Sequence, residues 1–262
     1  MRVSLCLEMI FDQIPFVDRI EAAHRLSYST FEFWSWKDKP CDDVASRAAA
    51  CNMHIGAFSG NRRHGLWTSA DPQPLIDEVR ESLAAAQRLN CSRLILLACP
   101  LHEDGSAVAP PAGLSCADRD NRAVETLQTL AAVAASFEVT LLLEPLNTCL
   151  DHPGYYPDRS APAFEWVCAV SSPHLRLLYD VYHMYMMGED VLKEISDNLD
   201  WIGLLHVADA PGRHEPGTGK ISYPAIAALL RERNYGGLVG LEFSPAADDL
   251  SAAQTALRFF EP

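Results

Sequence analysis

The sequence predicts a single α/β domain folded as a closed parallel (β/α)8 barrel, and three observations carry that expectation. Eight short apolar runs alternate with eight segments of helical periodicity, the pattern of parallel strands joined by crossover helices. The chain is 262 residues long, the size of a barrel built around one core. No G-x-G-x-x-G follows the first run, as an open dinucleotide-binding sheet would require.

The first unit pairs a strand at 3–7 with a helix at 15–26, where Phe16, Ile20 and Ala23 recur at helical spacing. The second pairs 30–34 with 42–51, the third 53–58 with 73–89, and the fourth 94–98 with 117–137. In the second half, strands at 139–143, 175–179, 201–205 and 238–241 are followed by helices at 161–170, 189–198, 223–233 and 248–259. Two long connections, 59–74 and 100–113, follow strands and precede helices, where a barrel carries its active-site loops. Gly217-Thr218-Gly219-Lys220 resembles the end of a phosphate-binding loop. However, His214 stands where the leading glycine belongs and Ile221 replaces the hydroxyl residue.

Composition removes several classes of function. With 48% hydrophobic and 21% charged residues the chain is neither disordered nor low-complexity. The 21 Lys and Arg against 35 Asp and Glu give a net charge of −14, which repels a phosphodiester backbone, so nucleic acid is not an expected partner. Residues 1–10 carry one Arg and an apolar run broken by Glu8, too short and polar for an export signal. No run of about 18 apolar residues exists to span a membrane, so a cytoplasmic protein without membrane contact is expected. The eight cysteines are scattered, with no C-x-x-C spacing, and read as reduced, mostly buried thiols.

The sharpest signal lies at the ends of the last four strands. Leu141-Leu142-Leu143 runs into Glu144, Leu177-Leu178-Tyr179 into Asp180, Gly203-Leu204-Leu205 into His206, and Val239-Gly240-Leu241 into Glu242. Parallel barrel strands all end on the face that carries the active site, so these four side chains converge. Three converging carboxylates repel one another unless a cation neutralises them, and an imidazole adds a neutral ligand. One divalent metal ion resolves the conflict, and this oxygen-rich set suits Mn²⁺, Mg²⁺ or Co²⁺ better than structural Zn²⁺. Taken singly, each acid has an alternative as a helix N-cap or a solvated loop residue.

Leu143-Glu144-Pro145-Leu146-Asn147-Thr148, Tyr179-Asp180-Val181-Tyr182-His183 and Pro211-Gly212-Arg213-His214-Glu215-Pro216-Gly217-Thr218-Gly219 resemble the hydroxypyruvate isomerase family, within the xylose-isomerase-like TIM barrels. Phe31-Glu32-Phe33-Trp34-Ser35-Trp36-Lys37 and Gly240-Leu241-Glu242-Phe243 extend the resemblance over essentially the whole chain. It implies a (β/α)8 barrel, a divalent metal held by Glu144, Asp180, His206 and Glu242, and the two glutamates as catalytic proton-transfer groups. It also implies His183 and Arg213 as contacts to a small sugar or hydroxy-keto acid substrate. Two positions depart from the pattern. Family members usually carry Gln where this chain has His206, whereas the related ketose 3-epimerases carry His, and Tyr185 stands where a Gln commonly follows the Tyr-His pair.

The residue types fit isomerisation of a hydroxy-carbonyl compound through an enediolate, one carboxylate removing a proton beside the carbonyl while the other returns one. A ketose 3-epimerase is the alternative, followed by a lyase, a dehydratase or phosphodiester cleavage on the same barrel, or an idle barrel kept for binding. Arg213 offers a planar fork to a substrate carboxylate, or a surface ion pair to Glu215. His183, three residues beyond Asp180, faces the cavity as a substrate contact or packs as a hydrogen-bonded histidine. Trp34, Trp36 and Trp67 supply an apolar cavity wall or ordinary packing. Glu32 bonds a substrate hydroxyl or a basic neighbour, Glu8 is a weaker candidate, and Arg62, Arg63 and His64 form a basic cluster on a solvated loop. Barrels of this kind often pair, so a homo-oligomer is expected, with Trp67 or Tyr155-Tyr156 as contact surface.

Overall fold

Side chains alternate in direction along a strand, so in a parallel barrel every second residue of each strand points inward. The computed structural model describes residues 1–67, 69 and 71–260, and that alternation organises it. The chain runs β1 (Arg2–Cys6), α1 (Phe16–Arg25), β2 (Thr30–Glu32), α2 (Cys41–Ala50), β3 (His54–Ile55), β4 (Phe58–Ser59), α3 (Gln73–Arg88) and β5 (Arg93–Leu97). It continues through α4 (Cys116–Ala135), β6 (Thr140–Glu144), α5 (Ser160–Val170), β7 (Leu175–Asp180), α6 (Val181–Met186) and α7 (Val191–Asn198). After a 3₁₀ turn at Leu199–Trp201 come β8 (Ile202–Val207), α8 (Tyr223–Glu232), β9 (Leu238–Leu241) and α9 (Asp249–Phe260).

Among the described residues, nine strands join one sheet in the order β3-β2-β1-β9-β8-β7-β6-β5-β4, with every pairing parallel. The two ends of that order, β3 and β4, are consecutive in the chain, so the barrel is nearly closed through one interrupted strand. The expected single strand at 53–58 therefore appears as two pieces, the first paired with β2 and the second with β5. Gly56 marks the break: a Cβ there would lie 2.8 Å from Leu238 Cδ2, so the backbone presses into the lumen where a side chain would not fit.

Two layers fill the lumen. Ala57, Ile95, Leu142, Leu178, Leu204 and Leu238 pack as a separate buried cluster. Two residues further along three of these strands stand Glu144, Asp180 and His206, with Glu242 four beyond Leu238. Outward residues such as Phe31, Leu143, Leu177 and Leu205 join the larger core beneath the helices. A dry apolar layer thus forms the floor on which a polar layer rests.

Element boundaries fall within a few residues of the sequence expectation. The addition is α6, six residues that begin immediately after β7 because the Asp180 side chain accepts the His183 backbone N–H as an N-cap. α4 starts with a capping box between Ser115 and Asp118. All eight cysteines are free, but the expectation that most are buried is corrected: Cys6, Cys91 and Cys99 are buried, while Cys116, Cys149 and Cys168 are exposed on helix faces and a loop. None of the described helices is long and apolar enough to cross a membrane.

Candidate active site

Glu144, Asp180, His206 and Glu242 each offer a ligand atom, and these atoms all lie within 4.8 Å of one another. All four residues are buried. Strand register produces the convergence: Asp180 pairs with His206 and His206 with Gly240, so their inward side chains share one level of the lumen. Gly240 carries no side chain there, and a Cβ on it would sit 2.6 Å from His206 Cδ2 and 2.7 Å from Glu32 Oε1. The glycine leaves the space that His206 fills.

His206 has its two ring nitrogens in different surroundings. Nε2 lies 2.7 Å from Glu32 Oε2, and Glu32 is itself fully buried and bonded by the Ser4 hydroxyl. Nδ1 is buried without a hydrogen-bond partner among the described residues, 3.6 Å from Glu242 Oε2 and 3.9 Å from Glu144 Oε1. When the ring is neutral, as a metal ligand must be, a carboxylate that accepts from one nitrogen leaves the lone pair on the other, which is how a metal-ligating histidine is oriented. The orphaned Nδ1 among three carboxylates is the donor set that suits a divalent cation.

Without a cation the cluster is electrostatically frustrated. Burial pushes the Glu144 carboxyl up to about 8, with Glu242 and Asp180 adding to the rise against the pull of His206. Asp180 is also raised by burial, although Arg213 and His206 oppose the shift. Glu242 is held low: burial disfavours its charge, but His206, Arg213 and the Trp34 hydrogen bond outweigh that cost. His206 rises despite burial because Glu32 and Glu242 favour its cation. Adjacent carboxyls driven in opposite directions are a mark of proton-transfer sites.

Neighbouring groups hold the cluster in place. Arg213 Nη2 lies 2.6 Å from Glu242 Oε2 and its guanidinium sits 5.3 Å from the centre of the Tyr182 ring, so Glu242, not Glu215, takes its charge. Glu215 instead accepts the Ala246 N–H. The loop bearing Arg213, which resembled the end of a phosphate loop, is gathered by buried Asp209, which accepts the backbone N–H groups of Ala210, Gly217 and Ile221. Arg213 itself adopts a left-handed φ of 55°, a strained conformation for a residue with a side chain. The Tyr155 hydroxyl accepts from Ala98 N and donates to the Glu144 carbonyl, tying β5 to β6 beside the site.

A cavity of about 300 Å³ opens over the cluster, with Trp34, Arg62, Leu101, His152 and His183 among its walls. The structure brings His183 and Arg213 to this cavity together with Glu144 and Glu242. Of the three tryptophans, Trp34 reaches it and donates from Nε1 to Glu242 Oε1 at 2.7 Å. Trp36 bonds Ser82, and Trp67 packs against Tyr156 and Trp166. Of the basic loop, Arg62 lines the cavity while Arg63 pairs with Glu78 and Glu81. Glu8 pairs with Lys39 outside the cluster. Sequence reasoning did not single out Asn147 or His152, and it left Trp34 and Glu32 unresolved. The family-like run 143–148 offered a signal for Asn147; nothing local marked His152.

The family profile for the xylose isomerase-like TIM barrel matches residues 20–262. The hydroxypyruvate isomerase of Escherichia coli (strain K12) is 26% identical over 269 residues, covering 100% of this chain and 99% of the relative. A 2-oxo-tetronate isomerase of Cupriavidus necator is 29% identical, covering 94% of each chain. The crystal structure titled AP endonuclease, family 2, from Brucella melitensis superposes with a TM-score of 0.86 at 26% identity, covering 96% of both chains. The curated relatives are isomerases, and they support isomerase activity for this chain. A barrel whose sheet closes through one interrupted strand, with its polar layer at the strand ends, is thus a member of the xylose isomerase-like TIM-barrel family.

Proposed function

We propose that the chain is a metal-assisted isomerase of a small hydroxy-carbonyl compound of the hydroxypyruvate kind. The observation that carries the reading is the unpartnered, buried His206 Nδ1 set among three carboxylates. Glu144, Asp180, His206 and Glu242 would hold one Mn²⁺, Mg²⁺ or Co²⁺ ion. Such an ion, when bound, supplies Lewis acidity to a carbonyl and neutralises charge that develops beside it.

The chain's own residues supply the proton chemistry. The Glu144 carboxyl has no hydrogen-bond partner among the described residues, which leaves it free to receive and return a proton. Glu242, fixed by Trp34 and Arg213 and held low, stays ionised beside it as the second carboxylate. In isomerisation a proton leaves the hydroxyl-bearing carbon and one arrives at the neighbouring carbonyl carbon, while the hydroxyl proton passes to the former carbonyl oxygen. His183 and Arg213 are placed to bind substrate oxygens beside this transfer. Hydroxypyruvate and a four-carbon 2-oxo acid, the compounds in the relatives' names, are the first substrates to try.

Epimerisation of a ketose is the second reading, favoured by a histidine at position 206 in place of the glutamine usual in hydroxypyruvate isomerases. The test strips the protein with chelator, restores Mn²⁺, Mg²⁺ or Co²⁺, and follows solvent deuterium by NMR into hydroxypyruvate, 2-oxo-tetronate and a panel of ketoses and aldoses. Metal-dependent exchange beside the carbonyl is expected, and the product separates isomerase from epimerase. Bound metal with no exchange in any compound overturns the reading in favour of a lyase or dehydratase.

A further inference from the structure

The cavity wall carries a second histidine, His152, that the proton transfer does not use. Its Nδ1 lies 2.9 Å from the Gly105 carbonyl oxygen. A carbonyl only accepts, so Nδ1 bears the ring proton and Nε2 is left as a lone pair. No described residue pairs with that Nε2. Gly105 is itself specified: its φ is +83°, and a Cβ would lie 2.7 Å from the Asp151 carbonyl oxygen.

His183, with its ring centre 5.3 Å away, has the opposite assignment. The backbone N–H groups of Leu150 and Asp151 donate to Asn147 Oδ1 at 3.2 and 3.0 Å. That turns the Asn147 amide nitrogen toward His183 Nδ1, 2.7 Å away. The amide donates, so Nδ1 accepts and the His183 proton sits on Nε2. Backbone groups that cannot reverse their roles thus set both tautomers.

We propose that His152 is a specificity-determining residue and Asn147 a positioning residue, the two rings presenting the substrate with one lone pair and one N–H. Among the oxygens of a hydroxy-carbonyl acid, only a hydroxyl can both donate to one and accept from the other. A carboxylate or keto oxygen can accept from His183 but has no proton for His152. On the isomerase reading above, on which this rests, the reacting hydroxyl and carbonyl are gathered at the four-residue cluster. The hydroxyl at His152 therefore belongs to a further carbon, and the preferred substrate is a hydroxy-carbonyl compound of four or more carbons. A cavity of about 300 Å³ has room for one.

The test uses the full chain with metal restored and compares hydroxypyruvate with 2-oxo-tetronate in the wild type and in His152→Phe, which keeps a ring beside His183. The ratio of kcat/KM for the four-carbon over the three-carbon acid should exceed one in the wild type and fall about tenfold in the variant, the effect of one lost hydrogen bond. An unchanged ratio overturns the inference while leaving the isomerase reading intact. A second readout needs no turnover: ¹⁵N NMR of the imidazoles should show His152 unprotonated and His183 protonated at Nε2. Asn147→Asp, which accepts where the amide donated, should move the His183 proton to Nδ1. Finding His152 protonated at Nε2, or no tautomer change in Asn147→Asp, overturns the inference even if neither acid is turned over.

Discussion

His206 and Glu32 lie 174 residues apart in sequence and 2.7 Å apart in space, and that contact decides which imidazole nitrogen faces the carboxylates. Glu32→Ala removes the acceptor and frees the ring, so Mn²⁺ affinity measured by calorimetry should fall about 10–100-fold, as outer ligand-orienting groups usually cost. Glu144→Gln and Glu242→Gln keep shape but remove the proton-transfer groups, and each should lower kcat by about 10²–10⁴-fold with an unchanged circular dichroism spectrum. Near-wild-type turnover in either variant would remove that glutamate from the mechanism. Proton and cation also compete at Glu144. Its carboxyl, pushed up to about 8 by burial, is protonated in the metal-free protein at neutral pH. A cation must displace that proton and also the one that Glu32 and Glu242 favour on His206, so Mn²⁺ affinity should climb through the neutral range by at least about tenfold per pH unit. An affinity flat between pH 6 and 8 would show Glu144 already ionised.

At the scale of elements, strand register carries the site. The level that holds His206 also holds Gly240, and the absent side chain of β9 makes room for the imidazole on β8. Gly240→Ala forces a Cβ to within 2.6 Å of His206 Cδ2, so one of the two strands must shift. The expected outcome is a loss of about 1–3 kcal/mol in denaturant unfolding, typical of overpacking, together with weakened metal binding from the displaced ring. A fully stable variant with unaltered metal affinity would show that β9 can move away at no cost. α6 follows the same logic in reverse: Asp180 ends β7 and caps the helix that carries His183, so one carboxylate sets the direction of two site residues.

For the whole molecule, the barrel presents buried charges on an apolar floor, and a cation that binds only the folded form stabilises it. Addition of Mn²⁺ at 100 times its Kd should contribute about 2.7 kcal/mol, a rise of roughly 5–10 °C in Tm for a chain of this size. Chelation should reverse the shift. A Tm indifferent to every divalent ion tried would argue that the cluster holds none. Salt screens the self-repulsion of a net charge of −14 but places no divalent cation among the buried carboxylates, so it should not reproduce the metal effect.

The alternation of apolar runs and helical segments determined a parallel barrel, because strands buried on both faces read as continuous hydrophobic stretches. Ligand-type residues at the ends of those runs then placed Glu144, Asp180 and His206 on one face before any contact was known. Glu242 was legible for the same reason. Tertiary structure alone decided the rest. That Arg213 turns to Glu242 rather than to its near neighbour Glu215 depends on a loop folded around Asp209. That position 56 has no room for a side chain depends on Leu238, 182 positions later in the chain. His152 and Asn147 acquire opposite duties from carbonyl and amide groups brought to them by neighbouring loops. Periodicity reports which way a side chain points, since that is local geometry. It carries no record of which partner waits there, since donors and acceptors meet through packing between segments far apart in the chain.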